Sequence, residues 1–484
     1  MNPWLVAKVL SLITTIVSLS MLWPLAWAWR DGSGDDAAII QSMLLGLCAS
    51  GLLYAAGRRH RGYGRVSAKD AFAVVSLSWV AASAVGALPY YLHGMVPTFG
   101  DAFFEAMSGF TTTGASILPD IEAHPRGLLF WRGLTHWVGG MGIIVLGLAI
   151  LPFLGVGGIN LFRAEVPGFA VEKMTPRLHQ MALRLWGIYV LMTVAAAGLL
   201  FAGGMDSFDS LSHAFSTIAT GGLSPLNRSV GHYDSAYIDW VITFFMFFSG
   251  VNFALHYRVL LGDAGAYGAD PEFRTYLGIV LLSTAGVAVV LYRNGLYATI
   301  GESVRYAAFQ VVSVITSTGF STADYNLWPP FAHAVFIFLM FAGGSSGSTA
   351  GGLKCIRVLA LARRLQAGLS TVRHPRGVFQ ARIGGRIVSH EAMSSVTAFF
   401  VLYMLAFVLG ALFMAWLGLD LVTAFSSAAA ALGNTGPGLG AVGPAENFSA
   451  VPMAGKWMLS FLMLLGRLEL YTLILIFVPD TWRR

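Results

Sequence analysis

Ten apolar runs of 17 to 26 residues dominate this 484-residue chain, covering 4–29, 38–57, 70–93, 129–154, 182–203, 237–261, 276–292, 331–353, 394–417 and 456–478. A crossing of the hydrocarbon core takes about 20 apolar residues in a helix, so each run predicts one span. Charged residues make up 11% of the sequence and hydrophobic ones 56%, against about 25% charged in a soluble domain. That balance excludes an ordinary cytosolic enzyme, a disordered chain and a nucleic-acid binder. Cys48 and Cys355 lie too far apart in sequence and setting to build a disulfide framework or a metal cluster. The first run is too long for the apolar core of a signal peptide, which predicts a retained helix.

Alternate linkers differ in charge, and an excess of Lys and Arg marks the cytoplasmic side. Residues 58–69 hold five basic residues, 155–184 four, 257–275 two, and 354–390 eight, from Lys354 to Arg386. With Lys8, Arg483 and Arg484, this places 22 of the 30 Lys and Arg on one side, together with both termini. The other linkers, about 94–128, 204–236, 293–330 and 418–455, are long, poor in Lys and Arg, and carry apolar stretches too short to cross. Half-length helices with Gly-rich returns are expected there.

Each of these four linkers contains a Thr-Gly step, with the threonines at 113, 220, 318 and 435 and spacings of 107, 98 and 117 residues. Short apolar helical runs precede them, at 103–110, 211–218, 304–315 and 422–432. Acids lie at or near the starts of these runs: Asp101 and Glu105, Asp206 and Asp209, Glu302, and Asp420. An acid there suits the helix dipole. A spanning run follows each step, with glycine in its middle at Gly139-Gly140, Gly250, Gly343-Gly344 and Gly466. One Thr-Gly is an ordinary turn; four in one context and on one side predict a fourfold repeat.

Four such units around an axis would aim the C-terminal, partially negative ends of the half-helices at a common centre, favouring a cation. The loops could then turn carbonyl oxygens inward, as rings of carbonyls replace the hydration shell of potassium. Glycine suits a carbonyl-inward backbone whose φ values residues with a Cβ avoid. Threonine could add a hydroxyl ligand or brace the loop.

Three further stretches extend the pattern: Trp131-Arg132-Gly133-Leu134-Thr135-His136-Trp137-Val138-Gly139-Gly140-Met141-Gly142, then Gly343-Gly344-Ser345-Ser346-Gly347-Ser348-Thr349-Ala350-Gly351-Gly352-Leu353-Lys354, and Leu464-Leu465-Gly466-Arg467-Leu468-Glu469-Leu470. With the four loops, they make the chain resemble the TrkH/TrkG potassium-uptake proteins of the Trk/Ktr/HKT superfamily over essentially its whole length. The resemblance implies an all-α polytopic membrane protein with four pseudo-symmetric helix–pore helix–filter loop–helix repeats around one pore, plus an N-terminal two-helix hairpin. The hairpin would occupy 1–66 and the repeats 67–160, 178–262, 273–366 and 388–484. The implied potassium filter is Thr112, Thr113 and Gly114; Ala219, Thr220 and Gly221; Ser317, Thr318 and Gly319; and Asn434, Thr435 and Gly436. Also implied are potassium as substrate with no bound cofactor, a homodimer in the bacterial inner membrane, and a TrkA-like cytoplasmic nucleotide-binding ring protein as partner.

The stretch 343–352 interrupts a spanning run with Gly and Ser. Irregular backbone survives at that depth where it is buried or lines a cavity. The resemblance makes Gly343, Gly344, Ser345, Ser346, Gly347, Ser348, Thr349, Gly351, Gly352 and Lys354 an intramembrane gating loop; a close contact between small-residue helices is the alternative. A phosphate loop is excluded, because Leu353 stands where Lys is required. Arg467 and Glu469 lie mid-run and face apart. Arg467 is expected to be a barrier in the pore, or else a charge satisfied by half-helix carbonyls. His136 and His213 have no ligand-spaced companions and are expected to be packed or hydrogen-bonded. The basic 354–386 segment suits lipid, solvent or an acidic partner equally. A proton- or sodium-coupled symporter is the competing function, although such a coupling site would use an intramembrane acid pair and only Glu469 was expected to lie deep.

Overall fold

A hydroxyl or carboxylate begins each half-helix by taking a free backbone N–H. Thr98 accepts from Asp101 at 3.1 Å, Asp206 from Asp209 at 2.6 Å, Thr299 from Glu302 at 3.1 Å, and Asp420 from Thr423 at 3.1 Å. Thr299 and Glu302 also complete a reciprocal capping box. The helices that follow are Phe99–Phe110, Ser207–Ile218, Ile300–Ile315 and Leu421–Gly433, the third longer than the others by about a turn. Glu105 is not at a helix start. It sits two turns in, fully buried.

The computed structural model describes residues 2–58, 68–142 and 178–477. Much of the basic linkers 58–69 and 155–184, part of the first repeat and the C-terminal arginines lie outside the described residues. Within them, a two-stranded hairpin pairs Arg382 with Ile387 and Ile383 with Arg386 after the basic helix Cys355–Arg373. Everything else of regular structure is helical.

Six of the described helices are long and apolar enough to cross a membrane, among them Asp36–Gly57, Pro271–Arg293 and His390–Trp416. The remaining runs are broken, and each break falls at or within a few residues of the glycines noted above. Arg126–Trp137 passes into a π-helical turn at Val138–Gly142. Ala236–Ser249 turns by 100° into Phe253–Leu260. Pro330–Ala342 stops at Gly343, and helix resumes only at Cys355. Met453–Arg467 breaks before Tyr471–Phe477, with Glu469 and Leu470 at positive φ. The expectation of unbroken helices over 237–261 and 456–478 is therefore corrected, whereas the interruption expected at 343–352 is present. The cause is steric: a methyl on Gly139 would lie 1.9 Å from the carbonyl oxygen of Phe110, and one on Gly466 2.0 Å from that of Leu432. Half-helix ends pack against three of the breaks, Phe110 at Gly139, Thr316 at Gly250 and Leu432 at Gly466, whereas Gly343 is crowded by Gly351 and Gly352 of its own loop.

The N-terminal pair packs through small residues and hydroxyls, as membrane helices do. Ser50 meets Thr15 at 2.6 Å, and Gly57 abuts the backbone of Lys8. Asp35 accepts the N–H of Leu128 at 2.9 Å, fastening the hairpin to the first repeat. Ion pairs join neighbouring repeats. Lys456 meets Asp101 at 2.7 Å with both side chains buried, and Arg305 meets Asp239 at 3.2 Å. The pair Arg126–Asp206 is about half exposed on both sides and contributes little.

Candidate ion pathway

All four half-helices end the same way. The N–H groups of Thr113, Gly221, Thr318 and Thr435 each return to the carbonyl five residues back, all at 2.8 Å. The residue before each of them is left-handed: Thr112 at φ 53°, Thr220 at 54°, Ser317 at 53° and Asn434 at 54°. This is a Schellman ending, normally built on glycine. Holding threonine or serine there costs of order 1–3 kcal/mol each, a strain that concentrates at functional sites.

These angles fix the register of the repeats and correct one of them. The glycines that follow at positive φ are Gly114 (82°), Gly222 (78°), Gly319 (85°) and Gly436 (89°). In the second repeat the equivalent of Gly114 is thus Gly222, not Gly221, and the triplet is Thr220, Gly221, Gly222. Ala219 belongs to the helix end, as its C-cap. Gly221 is glycine for another reason: a methyl there would lie 2.3 Å from the His136 ring.

The four loops close on one another. A methyl on Gly114 would lie 2.0 Å from the carbonyl oxygen of Gly221, one on Gly222 1.9 Å from that of Thr318, one on Gly319 2.4 Å from that of Thr435, and one on Gly436 2.6 Å from that of Thr113. Each repeat rests its glycine on the next repeat's carbonyl, and the fourth rests on the first. Buried hydroxyls brace the ring from behind. Thr111 pairs with Thr113 at 2.8 Å and Thr316 with Thr318 at 2.7 Å. Ser216 and Ser313 donate to the carbonyls of Leu223 and Phe320 at 2.8 and 2.7 Å. His136 meets Ser216 at 3.2 Å, and His213 meets Ser224 at 3.1 Å and the Asp209 carbonyl at 2.8 Å, so both histidines are hydrogen-bonded as expected.

A cavity of about 150 Å³ opens on one face of the ring, with Gly114, Gly222, Gly319 and Pro437 from the four repeats in its lining. At its rim Asn227 donates to Asp120 at 2.8 Å, holding that carboxyl below the usual carboxylate range.

The segment 343–354 lies against the half-helix ends. It is loop, not a helix contact, and it touches three repeats directly. Thr349 Oγ1 sits between the carbonyls of Ile218 at 3.1 Å and Ser249 at 3.2 Å. The Gly351 N–H donates to Ser317 Oγ, and a methyl on Gly351 would lie 2.2 Å from the Gly433 carbonyl oxygen. Ser345 donates to the Gly250 carbonyl at 2.8 Å, across the 100° bend. Glu272 Oε1 accepts from both flanks of the loop, Ser346 N at 2.7 Å and Ile356 N at 3.0 Å. The buried Lys354 ammonium donates to the Ala350 carbonyl.

Arg467 completes the set. It donates to the Thr349 carbonyl at 2.8 Å and to those of Gly139 and Gly140 at 3.1 and 2.8 Å, and lies 5.7 Å from the Trp79 ring centre. One guanidinium thereby joins the loop of the third repeat to the broken helix of the first. Glu469 turns away and pairs with Arg357. It is not the only deep acid: Glu105, Asp101 and Glu272 are buried too, each with partners. The Glu105–Arg132 pair was missed in the sequence because its members stand 27 residues apart on different helices.

The architecture has known counterparts. A family model described as TrkH, cation transport protein, matches residues 36–278 and 292–483. The chain is 40% identical over 483 residues to the Trk system potassium uptake protein TrkH of Salmonella typhimurium, and 37% identical over 486 residues to that of Vibrio parahaemolyticus, with 99% of each chain covered. It superposes on the crystal structure of the potassium transporter TrkH from Vibrio parahaemolyticus with a TM-score of 0.90 at 35% identity, covering both chains fully. A membrane protein whose broken helices frame a closed four-part carbonyl ring, matched along its length in sequence and in structure, this chain belongs to the TrkH family of cation transport proteins.

Proposed function

We propose that this chain takes up potassium through the ring formed by Thr112-Thr113-Gly114, Thr220-Gly221-Gly222, Ser317-Thr318-Gly319 and Asn434-Thr435-Gly436. The observation that carries the reading is the closure of the ring, in which each left-handed glycine abuts the carbonyl of the next repeat. Such carbonyls stand in for the water that potassium sheds. The relatives named above as Trk system potassium uptake proteins support the choice of ion.

Residues 343–354 act as the gate and Arg467 as a positively charged barrier that also latches it. The gate is released by a TrkA-like cytoplasmic nucleotide-binding partner meeting a homodimer in the bacterial inner membrane, with both termini and the basic 354–386 segment on the cytoplasmic side. Flow is passive in this reading. The deep acids are committed to Arg132, Lys456, Arg357 and backbone N–H groups, which speaks against coupling to protons or sodium.

The test is rubidium uptake into liposomes holding the purified chain. Entry down its gradient that potassium blocks and sodium does not is the expected result. Concentrative uptake driven by a proton or sodium gradient would overturn the passive reading.

A further inference from the structure

Nine residues before the left-handed glycine in each of the first three repeats, a side chain from the half-helix faces the strand leaving the ring, and its chemistry differs each time: Glu105, His213 and Gln310. In the fourth repeat Ser426 does this, exchanging two 2.9 Å hydrogen bonds with the backbone of Leu439. Glu105 Oε1 accepts from Ser116 Oγ at 3.0 Å, and Oε2 from the Ile117 N–H at 3.0 Å. His213 meets Ser224 Oγ at 3.1 Å, and Gln310 donates to Thr322 Oγ1 at 3.3 Å. Only the first repeat uses a charge, and only there is a counter-charge recruited. Arg132 Nε meets Glu105 Oε1 at 2.8 Å, with the side chains 1% and 0% exposed.

Arg132 does more than neutralise. Its Nη2 donates to Ser116 Oγ at 3.0 Å, within its own repeat, and its Nη1 to the Ser224 carbonyl at 3.1 Å, in the second. The strands leaving two neighbouring quarters of the ring are thus pinned to one guanidinium, while the third and fourth repeats have neutral braces. A buried pair with each guanidinium nitrogen directed at an acceptor adds little net stability but fixes geometry, because leaving either charge unpaired is costly. Arg alone supplies the planar fork that spans two acceptors and a carboxylate.

We propose that Glu105 and Arg132 are positioning residues that set cation selectivity, holding the carbonyls of the first and second repeats at fixed separation while touching no ion themselves. The inference rests on the ring being the potassium filter. A carbonyl ring prefers potassium over sodium through the spacing and number of its oxygens, so freeing half of it lets the oxygens close around the smaller ion.

The experiment measures rubidium and sodium uptake side by side in liposomes holding the full chain, with thermal stability followed in the same preparations. Failure of the parent to take up rubidium would sink the filter reading itself, a result distinct from any below. In Arg132→Lys, which keeps the charge but not the fork, the rubidium-to-sodium ratio is expected to fall by about tenfold with rubidium uptake retained. Glu105→Gln should fall at least as far, and Ser116→Ala, which removes the hydroxyl between the two charges but neither charge, by about threefold. Gln310→Met, the same brace in the third repeat, should leave the ratio within about twofold. A parental ratio in folded Arg132→Lys or Ser116→Ala overturns the proposal. So does a loss of rubidium uptake and thermal stability together at an unchanged ratio, which is what a merely structural pair would show.

Discussion

The Ser317 hydroxyl accepts the backbone N–H of Gly351 at 2.6 Å. The residue at the foot of the third loop of the ring and the segment 343–354 are therefore one hydrogen bond apart, and Ser317 has a left-handed backbone there. Replacing Ser317 by Ala leaves a buried N–H without an acceptor, a cost of about 1–3 kcal/mol borne by the closed position of the loop. Partner-free rubidium uptake by Ser317→Ala should rise several-fold. An unchanged initial rate would show that this contact does not hold the gate.

The two glycines of the second repeat should fail differently. Gly222→Ala meets both a forbidden φ and the Thr318 carbonyl, so selectivity should be lost and no second-site change should restore it. Gly221→Ala keeps an ordinary φ and meets the His136 ring first, so His136→Ala in the same chain should recover much of it. Gly319→Ser should behave like the Gly222 variant. Uptake assays with potassium and sodium as competitors separate the cases, and equal rescue at both positions would contradict the assigned register.

Removing part of 345–351 shortens the obstacle and frees Arg467 from the Thr349 carbonyl. Flux should increase and lose any dependence on the proposed cytoplasmic partner. A folded deletion with parental flux would argue that the obstruction lies elsewhere.

Arg467→Ala removes a fixed charge whose repulsion of potassium is on the order of 1 kcal/mol or more. It also removes three carbonyl bonds. Conductance should rise with potassium preference intact, while Arg467→Lys should fall between Ala and the parent because an ammonium cannot reach both Thr349 and the Gly139-Gly140 carbonyls at once. Single-channel recording in bilayers checks both.

Asp101→Asn would strand Lys456 at 9% side-chain exposure. Breaking a buried pair from one side costs about 3–5 kcal/mol, so the variant should show a clear loss of melting temperature. The double change Asp101→Asn with Lys456→Met should restore most of it.

The fourfold plan was legible because glycine and threonine recur at near-equal intervals between apolar runs. The register of the second quarter was not. Thr220-Gly221-Gly222 offers two glycines, and only the backbone angle shows which one matches Gly114. Nor do the lone glycines at 250 and 466 announce broken helices, since glycine also serves close packing. What lies against them is a half-helix end, Thr316 at Gly250 and the Leu432 carbonyl at Gly466, contacts that the local pattern does not show. Glu105 read as a capping acid for a similar reason: its partners Arg132 and Ser116 come from chain that the helix pattern does not link.

Because Gly436 rests on Thr113 and Asn434 donates to the Thr113 hydroxyl across 321 residues, the last quarter of the chain must be inserted before the first can settle. During synthesis the opening three quarters wait with one seam unsewn, and Asp101 waits 355 residues for Lys456. Such distant closure is slow and leaves exposed surface in the meantime. A chain truncated after the third quarter should accordingly be a substrate for membrane proteases rather than a leaky pore.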